Sequence, residues 1–158
     1  MTATVPSVRQ AALAVLLSRV ELISVANGYQ TNAGEHISVA ETVTLGPDDP
    51  EASIAVLVSP SAPGHEMENI VVELPLEVAA VVREGSAVLA EFGRYSWFTV
   101  EAILADIKRA VEQDRNLAGT VMEFKRGPER PFDREPGSEF VGAGVEYVLR
   151  YVERWGQP

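Results

Sequence analysis

Residues 70–83 have the sequence IVVELPLEVAAVVR, and this stretch decides the fold of the chain. Apolar side chains occupy every second position from Ile70 to Val82, whereas Glu73, Glu77 and Arg83 fall between them. Because side chains alternate between the two faces of a strand, this pattern predicts a long strand with one buried and one wet face. Proline at position 75 has no N–H to donate, which indicates an edge strand or a bulge at that point.

A second long strand is predicted over residues 141–151, where every odd position is apolar. Gly142 and Gly144 lie on its other face, together with Glu146 and Arg150. Strands that are wet on one face are typical of antiparallel sheets, whereas the strands of a doubly wound parallel sheet are buried on both faces.

Three shorter strands are predicted around these two. Residues 53–58 are apolar, and the Pro- and Gly-containing connection that follows them predicts turns. Residues 120–126 alternate, with Met122 and Phe124 directed inward. Residues 36–44 are only weakly strand-like.

Two amphipathic helices complete the pattern. The first, over about residues 7–25, begins at Ser7 with Gln10 three positions later, which is the spacing of a capping box. The second covers about residues 97–114 and has an apolar stripe at helical spacing. The order α–(β)–β–β–α–β–β predicts one α+β domain over residues 1–158. Its sheet is mainly antiparallel, with about four to five strands and both helices packed on one face.

Composition excludes several classes of function. The chain has 13 Lys and Arg against 23 Asp and Glu, a net charge of −10, so we expect no specific nucleic-acid binding and no membrane binding. It has no cysteine, which excludes disulfides, thiolate metal sites and cysteine nucleophiles. The short apolar run at 11–17 is followed at once by Arg19 and Glu21, so it predicts neither a signal peptide nor a membrane span. The expected location during synthesis is the cytoplasm.

No catalytic signature is present. The pair Gly142 and Gly144 lacks the third glycine of a dinucleotide-binding motif, and there is no nucleophile elbow or Walker loop. His36 and His65 each stand beside a glutamate, but neither pair has the helical spacing of a zinc site. We therefore predict no catalytic, cofactor or metal site. A small metal-dependent hydrolase using His36 and His65 is the alternative from another class, and a ligand-binding regulatory domain is a third.

Basic residues gather on and after the end of the predicted strand 120–126, at Lys125, Arg126, Arg130 and Arg134. Two of them lie in a connection of residues 127–137 that contains three prolines and is longer than a typical hairpin turn. A long charged loop between paired strands is often an interaction arm, although a solvated surface loop has the same composition.

Residues 134–142, REPGSEFVG, together with the alternating run to Tyr151, resemble the end of bacteriophage tail terminator proteins. The sequence ADIKRA at 105–110 and the strand that follows Gly119 have the positions expected in that family. The resemblance implies a virion protein without catalysis. In this family a ring, commonly hexameric, caps the head-proximal end of the tail tube, stops its polymerisation and presents a surface to the head connector. The implied partners are further copies of the chain, the tube protein and the connector protein.

The resemblance also implies roles for particular residues. The candidate subunit-interface residues are Arg126, Arg130, Arg134, Phe140, Gly142 and Gly144. The glycines would permit close approach of a neighbouring subunit, and the arginines would contact its acidic residues. Residues 1–93 carry a net charge of −9 against −1 for residues 94–158, an excess that would keep DNA from adhering to a channel. A bulge, a free loop and solubilising charge are the simpler explanations. Another head–tail joining or neck protein would share the ring and differ only in its partner.

Overall fold

A ladder between two long antiparallel strands forms the centre of the computed structural model. Asn69–Arg83 pairs along its whole length with Phe140–Arg154. The structure describes residues 5–43, 45–66, 69–84, 96–133 and 136–154. Among those residues, no helix is long and apolar enough to cross a membrane.

The described elements are two α-helices, two short 3-10 turns and a six-stranded sheet. Their bounds are α1 Val8–Glu21, the 3-10 turns Val25–Asn27 and Ala33–Glu35, β1 Ile37–Ala40, β2 Ala52–Val58, β3 Ala62–Glu66, β4 Asn69–Arg83, α2 Ser96–Val111, β5 Glu123–Pro131 and β6 Phe140–Arg154. The strand order is β1-β2-β4-β6-β5, and β3 pairs with β4 outside this path. Only β1 and β2 run parallel among these pairs, so the predicted α+β class with a mainly antiparallel sheet is confirmed.

Both helices cover one face of the sheet, as predicted. The even positions of β4 and the odd positions of β6 pack against them in one core. Tyr147 is fully buried there and stacks on Phe124, with 4.7 Å between the ring centroids. The helix residues buried in this core are Ala12, Leu16, Val20, Val100, Ile103, Leu104, Ile107, Ala110 and Val111. The two periodicities read from the sequence therefore correspond to one continuous apolar layer.

The first helix begins with the predicted capping box. The Ser7 N–H donates to Gln10 Oε1 at 2.9 Å, and the Gln10 N–H donates to Ser7 Oγ at 3.2 Å. The helix ends at Glu21, before the predicted boundary, because the chain turns through Val25–Asn27 to the left-handed Gly28. The second helix stops at Val111, and Asp114 instead caps the loop that follows.

Pro75 lies on a central strand and not on an edge strand. Its carbonyl accepts a hydrogen bond from the Ser59 N–H at 3.3 Å, on the side of β4 that faces β2 and β3. The N–H and C=O of a strand residue point to the same side, so the missing donor faces the short break between these two strands. A proline is tolerated there because no ladder partner needs its N–H.

The strand β3 was not expected from the sequence. Its prolines and glycines favour turns, yet it pairs with the beginning of β4 from Ala62↔Glu73 to Glu66↔Asn69. It has only one neighbouring strand, and Pro63 is acceptable on such an edge. On the same side of β4, the outermost strand β1 is shorter than the predicted 36–44.

The strand β5 begins and ends later than predicted. It continues through a bulge between Arg126 and Glu129 and reaches Pro131, so the first part of the predicted 127–137 loop is strand. A bulge and a proline are both compatible with an edge strand, whose outer side has no ladder partner. Met122 precedes the strand and is 61% exposed, so its predicted inward direction was wrong.

Candidate interaction surface

The sheet face opposite the helices, called the open face below, carries a second, smaller apolar cluster. Its centre is Ala55, Ala79 and Val81. The partly buried hydrophobic residues packed on it are Val43, Leu45, Leu57, Phe132 and Phe140. Two connections, one before β2 and one before β6, therefore cover the part of the open face near the end of β4.

An open groove of about 1080 Å³ lies between these two connections. Its apolar lining includes Leu57, Val81 and Trp97, and Trp97 belongs to the first turn of α2. Carboxylates stand on both walls, because Glu41 lies on one and Asp133 and Glu139 on the other. We call this feature, with apolar lining and carboxylate walls, the acidic groove.

Arg83 joins the two walls of the acidic groove. Its Nη2 donates to the carbonyl oxygens of Pro47 at 3.0 Å and Asp49 at 2.8 Å. Its Nη1 lies 3.3 Å from a carboxylate oxygen of Glu139, and its guanidinium lies 4.8 Å from the centroid of the Phe140 ring. The planar, multiply donating guanidinium suits such a junction. The alternation of residues 70–83 predicts only that Arg83 lies on the wet face of β4, since a single cation at a strand end carries no pattern.

The two candidate glycines of β6 are approached closely by side chains of this same chain. A β-carbon at Gly142 would lie 2.8 Å from the Phe132 ring and 2.6 Å from the carbonyl oxygen of Ala80. A β-carbon at Gly144 would overlap the carboxylate of Glu77. The expected close approach thus occurs within the chain, and a role for the glycines between subunits stays a prediction.

A charged cluster surrounds Gly144 on the open face. Glu77 of β4 is directly opposite Glu146 of β6, and Arg130 of β5 is opposite Gly144. Burial raises the pKa of Glu77, the nearby charge of Glu146 raises it further, and Arg130 lowers it. The carboxylate of Glu77 is therefore harder to ionise than that of an ordinary surface glutamate.

Arg126 lies on the opposite side of β5 from Arg130. Its Nε is 3.5 Å from Oε1 of Glu112, which directly follows α2, and the same oxygen accepts a hydrogen bond from the Tyr147 hydroxyl at 2.8 Å. Burial raises the pKa of Tyr147, and its hydrogen bond to Glu112 adds to the shift. A second strand-to-helix ion pair joins Lys108 and Glu129 at 2.8 Å.

The structure therefore separates the predicted interface residues. Arg130, Phe140, Gly142 and Gly144 lie on the open face, whereas Arg126 lies on the helix side and contacts Glu112 just after α2. Arg134 lies outside the described residues.

The alternative metal site gains no support from the geometry. His36 is exposed just before β1, and the side chain of His65 is outside the described part. Within the described ranges, no group of three or more His, Asp and Glu side chains could hold a metal ion.

Comparison with known proteins gives a likeness to a solved structure. No protein-family model matches the chain, and no curated protein matches it. The chain is similar to a chain of a solved structure described as the virion of a native gene transfer agent (GTA) particle, with a TM-score of 0.52 and 11% sequence identity. The likeness covers 89% of this chain and 93% of the other. At this identity it shows a shared fold, which extends over almost the whole of both chains.

Proposed function

We propose that this chain is a non-enzymatic structural protein of a phage-like virion. The observation that carries the proposal is the shared fold with a chain of the gene transfer agent particle, which covers nearly all of both chains. A likeness confined to one part would be compatible with a common motif placed in unrelated proteins. The likeness here covers nearly all of both chains, which is compatible with two proteins of similar size that have similar structural roles in their particles.

Within that class, the proposed role is that of a tail terminator. Copies of the chain form a ring, taken here as a hexamer, that caps the head-proximal end of a tail tube and receives the head connector. This role is supported by the resemblance of residues 105–151 to that family. A ring needs contacts between two different surfaces of each copy, because identical surfaces facing each other close into a dimer. Arg130 is exposed on the open face and is available for one such surface.

Electron microscopy and light scattering of the pure protein test the proposal. The protein is studied alone and after mixing with tubes assembled from the tail tube protein of the same phage or prophage. We expect closed rings with a central hole, a mass corresponding to a hexamer of the 17.1 kDa chain, and rings seated at one end of the tubes. Monomers at every concentration that bind neither tubes nor connector would contradict the proposal. Binding to the connector alone would identify a neck protein.

A paired variant tests the proposed contribution of the basic residues. Arg130→Ala combined with Arg134→Ala is expected to weaken ring assembly. Lys125→Ala is the matched control, because its ammonium group already pairs with Glu123 at 3.0 Å in the same chain. If the paired variant assembles as the wild type does, these arginines are not part of the contact between copies.

A further inference from the structure

Aromatic rings and carboxylates stand side by side in the lining of the acidic groove. Glu139 directly precedes Phe140, and Asp133 directly follows Phe132. A β-carbon at Gly142 would lie 2.8 Å from the Phe132 ring, so this ring lies over β6 on the open face, two residues along the strand from Phe140. The groove therefore contains two pairs, each made of one phenylalanine and one adjoining carboxylate.

The pair formed by Glu139 and Phe140 already binds a cation of the same chain. The Arg83 guanidinium lies 4.8 Å from the centroid of the Phe140 ring, and its Nη1 lies 3.3 Å from Oε2 of Glu139. A guanidinium is attracted both by the face of an aromatic ring and by a carboxylate. This contact shows which kind of group such a pair binds at this surface.

The pair formed by Phe132 and Asp133 has no such cation. Within the described part of the chain, no guanidinium lies on the Phe132 ring. Asp133 and, on the opposite wall, Glu41 are exposed and form no ion pair with a described residue. The three carboxylates of the described groove lining, set against the one guanidinium of Arg83, leave a net charge of −2 among these groups. The groove is therefore suited to a further cation.

The size and lining of the groove favour a segment of polypeptide as its occupant. Its volume of about 1080 Å³ is at the upper limit of the ~300–1,000 Å³ typical of small-molecule sites, and it is open between its two walls. Leu57, Val81 and Trp97 add apolar surface to the two pairs. A ligand that offers only charge would leave this surface in contact with water, so the occupant should present apolar side chains together with a cation.

The charge of the chain indicates that this occupant is a different protein. The whole chain carries a net charge of −10, so a further copy brings charge of the same sign to the groove. A segment of opposite charge is attracted instead, and complementary charge of this kind favours the right partner over others.

We propose that the acidic groove binds an extended segment of a partner protein that carries an arginine beside apolar residues. The guanidinium of this segment lies on the Phe132 ring and pairs with the Asp133 carboxylate. The arrangement repeats that of Arg83 on the other pair. The inference goes beyond the proposed function, since it concerns a partner other than a further copy and holds whether or not copies form a ring.

Fluorescence anisotropy of labelled synthetic peptides, measured with the full chain, tests the proposal. The probe repeats the sequence Arg-Leu-Ser. One control peptide has glutamate in place of every arginine, and another has serine in place of every leucine. We expect the probe to bind more tightly than either control peptide, and its binding to weaken as the salt concentration rises.

Glu41→Gln combined with Asp133→Asn removes the two unpaired carboxylates from the walls. Exposed ion pairs are individually weak, so we expect the dissociation constant of the probe to rise about fivefold. Glu21→Gln combined with Glu101→Gln is the matched control, because it removes the same charge from exposed positions on the two helices. An equal effect of the two double variants overturns the docking site.

Phe132→Leu tests the aromatic ring separately, because it keeps an apolar side chain and removes the ring face. We expect the wild type to bind the probe more tightly than a peptide that repeats Lys-Leu-Ser, since a planar guanidinium stacks on a ring better than an ammonium group does. This preference should shrink in Phe132→Leu. The same preference in both proteins overturns the placement of the guanidinium on the Phe132 ring.

Other occupants of the groove would give different results. If N-acetylargininamide binds as tightly as the probe, the groove takes a small cation, and the proposal is overturned. It is also overturned if the probe does not bind while the wild type self-associates in sedimentation velocity and the variant with Glu41→Gln and Asp133→Asn does not. That result would identify a second copy as the occupant.

This proposal and the proposed function fail in different ways. Rings that cap tubes, formed by a protein that does not bind the probe, would overturn the docking site and leave the tail terminator role standing. Probe binding that depends on the groove carboxylates, without rings or tube capping, would support the docking site and contradict the terminator role.

Discussion

The carboxylate of Glu77 lies over Gly144, in the space that a β-carbon at position 144 would occupy. The two residues belong to neighbouring central strands, and Glu77 therefore folds flat across the sheet instead of projecting from it. The absence of a side chain at Gly144 on β6 thus leaves room for the long side chain of Glu77 on β4. This relationship gives Gly144 a structural role that is independent of any neighbouring subunit.

We expect Gly144→Ala to destabilise the protein by about 1–3 kcal/mol, because the new methyl group must displace Glu77 from a packed position. Urea denaturation measures the change in the free energy of unfolding. The double variant Glu77→Ala, Gly144→Ala should recover most of the loss, since the overlapping side chain is gone. Equal stability of the single and double variants would contradict this steric explanation.

Gly142→Ala is a useful comparison on the same face. Its β-carbon would lie 2.6 Å from the carbonyl oxygen of Ala80, and backbone of a central strand cannot swing aside as a glutamate can. We therefore expect it to destabilise the protein more than Gly144→Ala does. A lower urea midpoint for Gly144→Ala than for Gly142→Ala would show that β4 and β6 can move apart at position 142 more easily than their hydrogen-bonded pairing suggests.

The ionisation of Glu77 should weaken the fold at neutral pH. Burial and the charge of Glu146 raise the folded-state pKa above the ordinary value of 4.5, so the folded chain holds the proton more tightly than the unfolded chain. Stability from this group is fully present below pH 4.5 and is lost as pH rises through the folded-state pKa.

Glu77→Gln removes this titration and keeps the shape of the side chain. We expect the variant to have a higher urea midpoint than the wild type at neutral pH, with a difference that shrinks towards acid. Glu73→Gln, exposed on the same face of β4, controls for the loss of one negative charge. If the urea midpoint of Glu77→Gln rises equally at every pH, or if Glu73→Gln shows the same rise, the raised pKa of Glu77 is not the cause.

Asp106 attaches the segment before β1 to the helix α2. Its buried carboxylate accepts hydrogen bonds from the Thr31 N–H at 2.9 Å, the Thr31 hydroxyl at 2.8 Å and the Gln30 N–H at 3.0 Å. Asp106→Asn places an N–H₂ group among these donors, so we expect a loss of about 2 kcal/mol. Hydrogen exchange of the amides at positions 30 and 31 should accelerate with it. Unchanged exchange there would show that other contacts hold the segment.

Arg83 should be required for the shape of the acidic groove. Arg83→Met keeps most of the side-chain length but removes every donor to Pro47, Asp49 and Glu139, so we expect a loss of about 2–3 kcal/mol. Arg83→Lys should not restore it fully, because an ammonium group cannot reproduce the planar fork.

Trp97 reports on the groove in these variants, since it lines one end of it. In a Trp155→Phe background, Trp97 is the one remaining tryptophan of the chain. We expect its emission to shift in Arg83→Met and not in the control Arg9→Met, which removes a cation distant in sequence from the groove walls. Identical spectra would indicate that the two walls hold their positions without Arg83.

The sequence predicts the centre of this fold well because the centre depends on local periodicity. The alternation from Ile70 to Val82 and the apolar stripe of α2 each report which side faces the core. Periodicity does not report which strand lies beside another. Pro63 and Pro75 both suggest that a strand is interrupted. Each is nevertheless accommodated in the sheet, because no carbonyl group of a neighbouring strand needs a hydrogen bond from the missing N–H.

The candidate surface is less predictable for the same reason. Arg130 and Arg126 are near neighbours in sequence, but the intervening bulge directs one to the open face and the other to α2. The junction formed by Arg83 depends on carbonyl groups at Pro47 and Asp49, which carry no side-chain signature. Met122 fits the alternation of its segment, and only the tertiary position of the residues around it leaves it exposed.

The position of β6 has a consequence for the synthesis of the chain. This strand lies between β4 and β5 in the sheet, although it is the last strand along the sequence. While a ribosome is still adding residues 140–154, β4 and β5 have no strand between them, and the edge of β4 that pairs with β6 has no hydrogen-bonding partner. Helices can form during translation, but closure of the sheet must wait until β6 has emerged, because pairings between distant segments form only when both are present. Nascent chains stalled before that point would be the form most in need of a chaperone.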